Sequence, residues 1–241
     1  MKTANLGQGM IIVIDGIDGC GKATQAAHLV EALQTQGCGV ETMSFPRYQD
    51  GFSGRFLDRL LHGERGDFTT VDAYVASYPY AHDRWQAAPI IRGWLAEGKT
   101  VVLDRYQSAN VIHQGCKCPR DEDLVKYVEW LDELEFEVNN IPKPDLVMVL
   151  SIPAWVSQQL MRRRNVVRTV MMSDLERVEF FSRKDISEDD EEHQASAERN
   201  ISRIFAIKPE WQRISCFEDG QLLSIEAVHQ KVLACVDENL L

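Results

Sequence analysis

The run Ile14-Asp-Gly-Ile-Asp-Gly-Cys-Gly-Lys-Ala-Thr24 constrains this chain more than any other stretch. Gly16 and the pair Gly21-Lys22 satisfy the spacing G-x-x-x-x-G-K-[ST] up to its last place, where Ala23 stands; the hydroxyl arrives one residue later, at Thr24. The block before it, Met10 to Ile14, is continuously apolar, as a buried parallel strand should be. The stretch after it, Lys22 to Gln36, carries Ala26, Leu29, Val30 and Leu33 at helical spacing. In a strand–loop–helix context the backbone of Gly16, Ile17, Asp18, Gly19, Cys20, Gly21, Lys22, Ala23 and Thr24 is expected to curl around a polyphosphate. The helix N-terminus adds a favourable field and Lys22 a point charge. A tight turn of purely structural purpose needs glycines too, but not a lysine in register with both flanks correct. The pattern therefore predicts a nucleoside triphosphate site. Its usual final Ser/Thr is a magnesium ligand, so either Thr24 or Asp18 takes over cation contacts or the nucleotide and water hold the ion, which keeps several waters in such sites. Cys20, at the same helix N-terminus, is a candidate for a lowered thiol pKa.

Apolar strand-like runs at Met10–Asp15, Val40–Phe45, Thr100–Asp104, Asp145–Ser151 and Gln212–Phe217 alternate with helical patterns. The helical stretches are Ala23–Gln36, Gly54–Leu61, Val71–Glu97, Glu122–Asn139, Pro153–Arg164, Glu191–Lys208 and Ser224–Asn239. This alternation predicts an α/β fold of the P-loop NTPase type: a three-layer sandwich whose five-stranded parallel sheet has helices on both faces. The ligand is then expected beyond the C-terminal strand ends. With 241 residues and no repeat or linker, a single domain over residues 1–241 is expected. One compositional shift, basic then strongly acidic from Arg162 to Glu192, marks a mobile lid at about residues 160–190.

A net charge of −11 argues against broad nucleic-acid or anionic-membrane binding. No stretch approaches the roughly 20 apolar residues of a membrane span, and the N-terminus lacks a signal-peptide core. The six cysteines have no metal-ligand spacing and read as free thiols of a reducing cytosol. An acidic protein that handles phosphates must concentrate its arginines locally. Asp104-Arg105-Tyr106 closes the third strand, and its charged pair is either a local salt bridge or a guanidinium aimed at an acceptor phosphate, which arginine matches bidentately. Arg162, Arg163 and Arg164, with Arg168 beyond, point in different directions and cannot all serve one phosphate; as a group they suit a closing lid. Tyr80 and Arg84, four apart on the third long helix, share a face. They either cradle a base or pack ordinarily, while Trp85 beside them reads as core.

Together GIDGCGKAT, the SFP of Ser44–Pro46, AHDRWQ at Ala81–Gln86, DRYQSANVIHQG at Asp104–Gly115 and IPKPDLVMVLSIP at Ile141–Pro153 resemble thymidylate kinases. The ordered match runs from about Met10 to Pro153 and weakly onward. The resemblance implies ATP- and Mg2+-dependent phosphorylation of dTMP to dTDP by a cytoplasmic homodimer, with dTMP and ATP as small-molecule partners. It also implies that Tyr80 stacks on thymine, where phenylalanine is commoner, and that Arg84 bonds a base carbonyl. By the same likeness Arg105 reaches the acceptor phosphate, Phe45 and Arg47 border it, and Asn110 and Gln114 contact the base edge. Lys22, Arg105, Asp18, Arg164 and Arg168 form the candidate catalytic set; Asp18, Thr24 and Asp104 are the candidate cation contacts. Asp185 with Glu188 resembles the D-x-x-E that follows the family's lid.

The departures are Ala23, the early Arg47 (with Arg55 as a substitute), a long stretch from Arg168 to Lys184, and His113. The histidine stands where the family usually sets a tyrosine against the deoxyribose, and it is either a relaxed sugar contact or a satisfied helix histidine. Two other readings are a kinase for another monophosphate or a nucleoside, and a catalytically silent nucleotide-binding regulator. A nucleoside kinase needs a carboxylate base after the second strand, where this chain has Ser44-Phe45-Pro46-Arg47.

Overall fold

The computed structural model describes residues 9–171, 173 and 191–240, without the side chains of residues 168, 170 and 171. Most of the expected lid, and with it Asp185, Glu188 and the side chain of Arg168, lies outside these described residues. In chain order the elements are β1 (Met10–Gly16), α1 (Lys22–Thr35), β2 (Val40–Ser44), α2 (Gly51–Leu61), α3 (Ala73–Ala96), β3 (Thr100–Asp104), α4 (Gln107–His113) and α5 (Asp121–Asp132). A π-helical turn, Glu133–Val138, extends α5. There follow β4 (Leu146–Ser151), α6 (Ala154–Met171), α7 (Glu191–Ile207), β5 (Gln212–Ser215), the short strands β6 (Phe217–Glu218) and β7 (Gln221–Leu222), and α8 (Ile225–Leu240).

Five strands form a parallel sheet in the order β2-β3-β1-β4-β5. The central strands β1, β3 and β4 are buried along nearly their whole length, which is why their sequences read as unbroken apolar runs. The outermost strands, β2 and β5, are only partly buried. Helices α1 and α8 cover one face, and α3 and α4 the other, so the expected three layers are present. From β1 the chain turns toward β2 on one side, and β4 and β5 extend the sheet on the other. The ends of β1 and β3 thus flank the crevice where such a fold binds ligands.

Three local features differ from the sequence reading. The stretch after β3 is a short helix, α4, whose polar residues Gln107, Ser108, Asn110 and His113 are all buried; its lack of apolar periodicity hid it. The last strand stops at Ser215, and an antiparallel β6–β7 hairpin follows. Trp85, read as core, is 48% exposed, because α3 turns Arg84, Ala87, Ala88 and Ile91 inward instead. Among the described residues no helix is long and apolar enough to cross a membrane.

Candidate active site

The phosphate loop joins β1 to α1. Gly21 caps the helix in the left-handed region at φ 96°, a conformation glycine adopts without strain. Gly16 packs so closely on β4 that a Cβ would sit 2.5 Å from the Leu150 carbonyl oxygen. Lys22 is buried at the mouth of the helix, and its Nζ donates to the Gly16 and Ile17 carbonyls at 3.0 and 2.8 Å. Residues Asp18 to Thr24 line a cavity of about 570 Å³, with Ala23 and Thr24 exposed on its rim. Gly16 and Ile17 do not line it: the Ile17 side chain is fully in the core, and both residues offer Lys22 their carbonyls from beneath the loop. Cys20 also departs from expectation. Burial raises its thiol pKa and the Lys22 charge offsets this only in part, so the thiolate is disfavoured.

Asp18 is the hub of the loop. Its carboxylate pairs with Arg105, lies 3.8 Å from Lys22 Nζ and accepts from Gln194 Nε2 at 2.9 Å. The Asp18 amide donates back to Gln194 Oε1 at 3.2 Å, and Ser157 Oγ donates to its carbonyl. Burial alone would raise the carboxyl's pKa, but Arg105 and Lys22 more than offset it and hold the group ionised well below the ordinary range. Ser157 and Gln194 come from α6 and α7, the two helices on either side of residues 172–190. The loop is therefore tied to both flanks of the expected lid.

Arg105 extends the same network toward the acceptor side. It adopts φ 66°, and its amide bonds the Ile14 carbonyl at 3.0 Å. Non-glycine residues in that region carry strain that tends to gather at functional sites. The pair that closes β3 is thus not a local Asp104–Arg105 bridge; the guanidinium spans to Asp18. Beneath it Asp15, wholly buried, accepts from the Gly16 amide and Ser108 Oγ at 2.9 and 2.6 Å, and burial, only partly countered by Lys22, raises its pKa.

The rest of the cavity wall collects most of the acceptor residues expected from the sequence. Phe45, Tyr80, Arg84, Asn110, His113 and Gln114 all line it. Tyr80 faces Phe68 across 6.2 Å, so an aromatic pair stands at this end. Four buried polar atoms of wall residues have no hydrogen-bond partner among the described residues: Gln25 Oε1, Asp104 Oδ1, His113 Nε2 and Gln114 Oε1. Buried polar atoms are nearly always bonded, so these unpartnered atoms on one cavity are candidates for ligand contacts. His113 is accordingly not a satisfied helix histidine. Its ring stacks on His193 at 5.8 Å, and burial lowers its pKa to about 3 against the weaker pull of Asp18, leaving it neutral at physiological pH.

Arg47 does not join the wall. Its backbone and guanidinium are locked to Asp83 of α3 at 2.8 and 3.1 Å, which turns the side chain away, and Tyr48 lines the cavity in its place. Among the α6 arginines, Arg162 pairs with Glu191 in solvent while Arg164 reaches the cavity.

A phosphate loop with its lysine, an arginine at the end of β3 and an aromatic acceptor wall thus share one crevice. The family model for thymidylate kinase matches residues 14–232. The chain belongs to the thymidylate kinase family. Thymidylate kinase of Mycobacterium tuberculosis is 32% identical over 155 residues, 64% of this chain and 72% of that protein. The human thymidylate kinase is 31% identical over 60% of this chain and 62% of its own length. The probable thymidylate kinase of Thermococcus kodakarensis is 29% identical over 95% of this chain and 97% of its own. Solved thymidylate kinases from Candida albicans and Ehrlichia chaffeensis share the fold, with TM-scores of 0.67 and 0.60 at 19% and 18% identity; they align with 96% and 94% of this chain and 92% and 98% of their own.

Sequence reasoning missed four polar residues of this thymidylate kinase site: Asp15, Asp83, Glu135 and Gln194. Each is fully buried: Asp83, Glu135 and Gln194 hold Arg47, Arg84 and Asp18, while Asp15 holds Gly16 and Ser108 behind the cavity wall. An acidic residue at the end of an otherwise apolar strand was the available signal for Asp15. The others lie in helices of mixed polarity, where nothing in the pattern sets them apart.

Proposed function

We propose that this chain transfers the γ-phosphoryl group of ATP to dTMP, giving dTDP and ADP. The observation that carries the reading is the Lys22–Asp18–Arg105 network, which sets a donor-phosphate cation and a candidate acceptor-phosphate cation on one buried carboxylate. The acceptor phosphate oxygen is already ionised at neutral pH and needs no general base. It forms a bond to the γ-phosphorus as the bond from that phosphorus to the β–γ bridging oxygen breaks, and ADP leaves with the electron pair. The protein's contribution is alignment and charge neutralisation: Lys22 and the loop amides on the donor, Arg105 on the acceptor, Arg164 from the side of α6. Tyr80 and Phe68 supply the apolar wall for the base, and Arg84 with Gln114 the polar contacts to its edge.

Magnesium fits as an ion held mainly by the nucleotide. Among the described residues no group of three or more metal-ligating side chains gathers, and the Asp18 carboxylate is engaged by Arg105 and Gln194. Asp104, with its buried and unpartnered Oδ1, and Thr24 on the rim would hold it. Bound there, it supplies positive charge to the polyphosphate.

Phosphorus NMR of a mixture of the protein, ATP, Mg2+ and dTMP tests the reading. Resonances of dTDP and ADP should grow together with little free phosphate; ADP and free phosphate without dTDP would show hydrolysis and defeat it. Six free cysteines support a reducing, cytoplasmic setting.

A homodimer is part of the same proposal. Phe52 and Phe56 on α2 and Tyr78, Trp85 and Ile90 on the adjoining α3 expose large apolar side chains, a pattern typical of interaction surfaces. The double variant Phe52→Glu/Trp85→Glu should sediment at half the wild-type mass at micromolar concentration. An unchanged mass would place the interface elsewhere or remove it.

A further inference from the structure

Arg84 and Glu135 form a buried ion pair that the phosphate loop does not require. They are 1% and 0% exposed. Arg84 Nε donates to Glu135 Oε2 and Nη2 to Oε1, both at 2.6 Å, while Nη1 donates to the Tyr106 carbonyl at 3.1 Å. The carboxylate comes from the π-helical turn Glu133–Val138, in which Glu135 is the only buried residue. Such turns are rare and recur at functional sites. Stability does not demand the arrangement, because a well-packed apolar pair of similar volume is often as stable as a buried ion pair or more so. Arg84 also lines the cavity. A guanidinium carries five N–H groups; with three spent on Glu135 and Tyr106, one remains on Nη1 and one on Nη2.

We propose that Glu135 is a positioning residue: it clamps Arg84 so that its two remaining N–H groups serve the acceptor base, and the site thereby selects a base with a carbonyl at that edge. This rests on the reading of the cavity as a dTMP site. Arg84 has no acceptor of its own, so a base presenting an amino group at that edge, as cytosine does, sets donor against donor. The clamp has a second consequence. By holding the Tyr106 carbonyl it steadies the residue next to Arg105, whose left-handed backbone aims the phosphate-binding guanidinium. Base recognition and phosphate recognition thus share one support.

Two variants test the proposal: Glu135→Gln, and the apolar pair Arg84→Met/Glu135→Leu, which should fold even if the single change does not. For Glu135→Gln the KM for dTMP should rise about tenfold or more while the KM for ATP stays within about twofold. The preference for dTMP over dCMP should fall by a similar factor. The double variant should keep the wild-type unfolding temperature and lose the same preference. A folded Glu135→Gln enzyme with unchanged dTMP KM and unchanged preference overturns the proposal, as does a double variant that still favours dTMP. An equal rise in both KM values together with a lower unfolding temperature reduces Glu135 to a structural role and overturns it too. An active wild type with indifferent variants defeats this inference alone; a wild type inert toward dTMP defeats the functional reading, and this inference falls with it.

Discussion

Replacing Lys22 with methionine should lower kcat for dTMP phosphorylation by about a thousandfold while weakening ATP binding by about tenfold or less. The asymmetry follows from the geometry. Loop amides and the α1 N-terminus hold the polyphosphate in the ground state without the lysine. The Lys22 charge matters most as negative charge builds on the oxygens around the transferring phosphorus. Methionine fills much of the same buried volume, and the direct loss to the fold is two hydrogen bonds, to the Gly16 and Ile17 carbonyls, and the 3.8 Å ion pair with Asp18. Steady-state kinetics with ATP varied, alongside titration with a fluorescent ATP analogue, measures both quantities. A variant within tenfold of the wild-type kcat would show that Lys22 does not act on the transferring group.

Arg105→Gln should reduce kcat/KM for dTMP by a similar factor of about a thousand, since it removes the acceptor-side cation from a buried site. Unlike the lysine change, it should also cost roughly 1–3 kcal/mol of stability, because it strips a buried carboxylate of its closest cation. That cost should depend on pH. In the wild type the pKa of Asp18 lies below the ordinary 3.8, so its ionised form stabilises the fold above that value and the contribution is lost only as pH falls below it to the group's depressed pKa. Without Arg105, burial pushes the carboxyl upward and the charged form becomes a burden at neutral pH. The gap in unfolding temperature between variant and wild type should therefore be widest near pH 7, narrow as pH falls toward about 4, and close only below that, as Asp18 of the wild type takes up its proton. Thermal unfolding of both proteins at a series of pH values checks this. A gap that does not change with pH would mean that Asp18 is not the partner through which Arg105 stabilises the fold.

Much of this site was legible because the phosphate loop obliges a strand before it and a helix after it, and both leave periodic signatures. The buried central strands announced themselves as apolar runs such as Met10–Ile14 and Leu146–Leu150. Tyr80 and Arg84 follow from helical spacing plus family likeness, and both reach the cavity. What stayed hidden was pairing. Arg47 looked like a phosphate ligand because its partner, Asp83, is 36 residues away and no spacing links them. Glu135 is one of several acids in the helical stretch Glu122–Asn139, with no spacing to single it out, and a local π-helical turn brings it inward. Trp85 was misread because large aromatic residues are usually buried, whereas the phase of α3 is set by small residues and Arg84. His113 looked most like a satisfied helix histidine, but its bonding state depends on neighbours such as His193 that only the folded chain supplies.

The most direct test of the central claim is the initial rate of ADP formation from ATP and Mg2+ with dTMP, dUMP, the ribose form of TMP, dCMP, dGMP, AMP and thymidine in turn. The account predicts fast turnover of dTMP, slower turnover of dUMP, and little with dCMP, the purine monophosphates or thymidine. Measurable ATP binding with no turnover of any acceptor, or a preference for thymidine over dTMP, would contradict it.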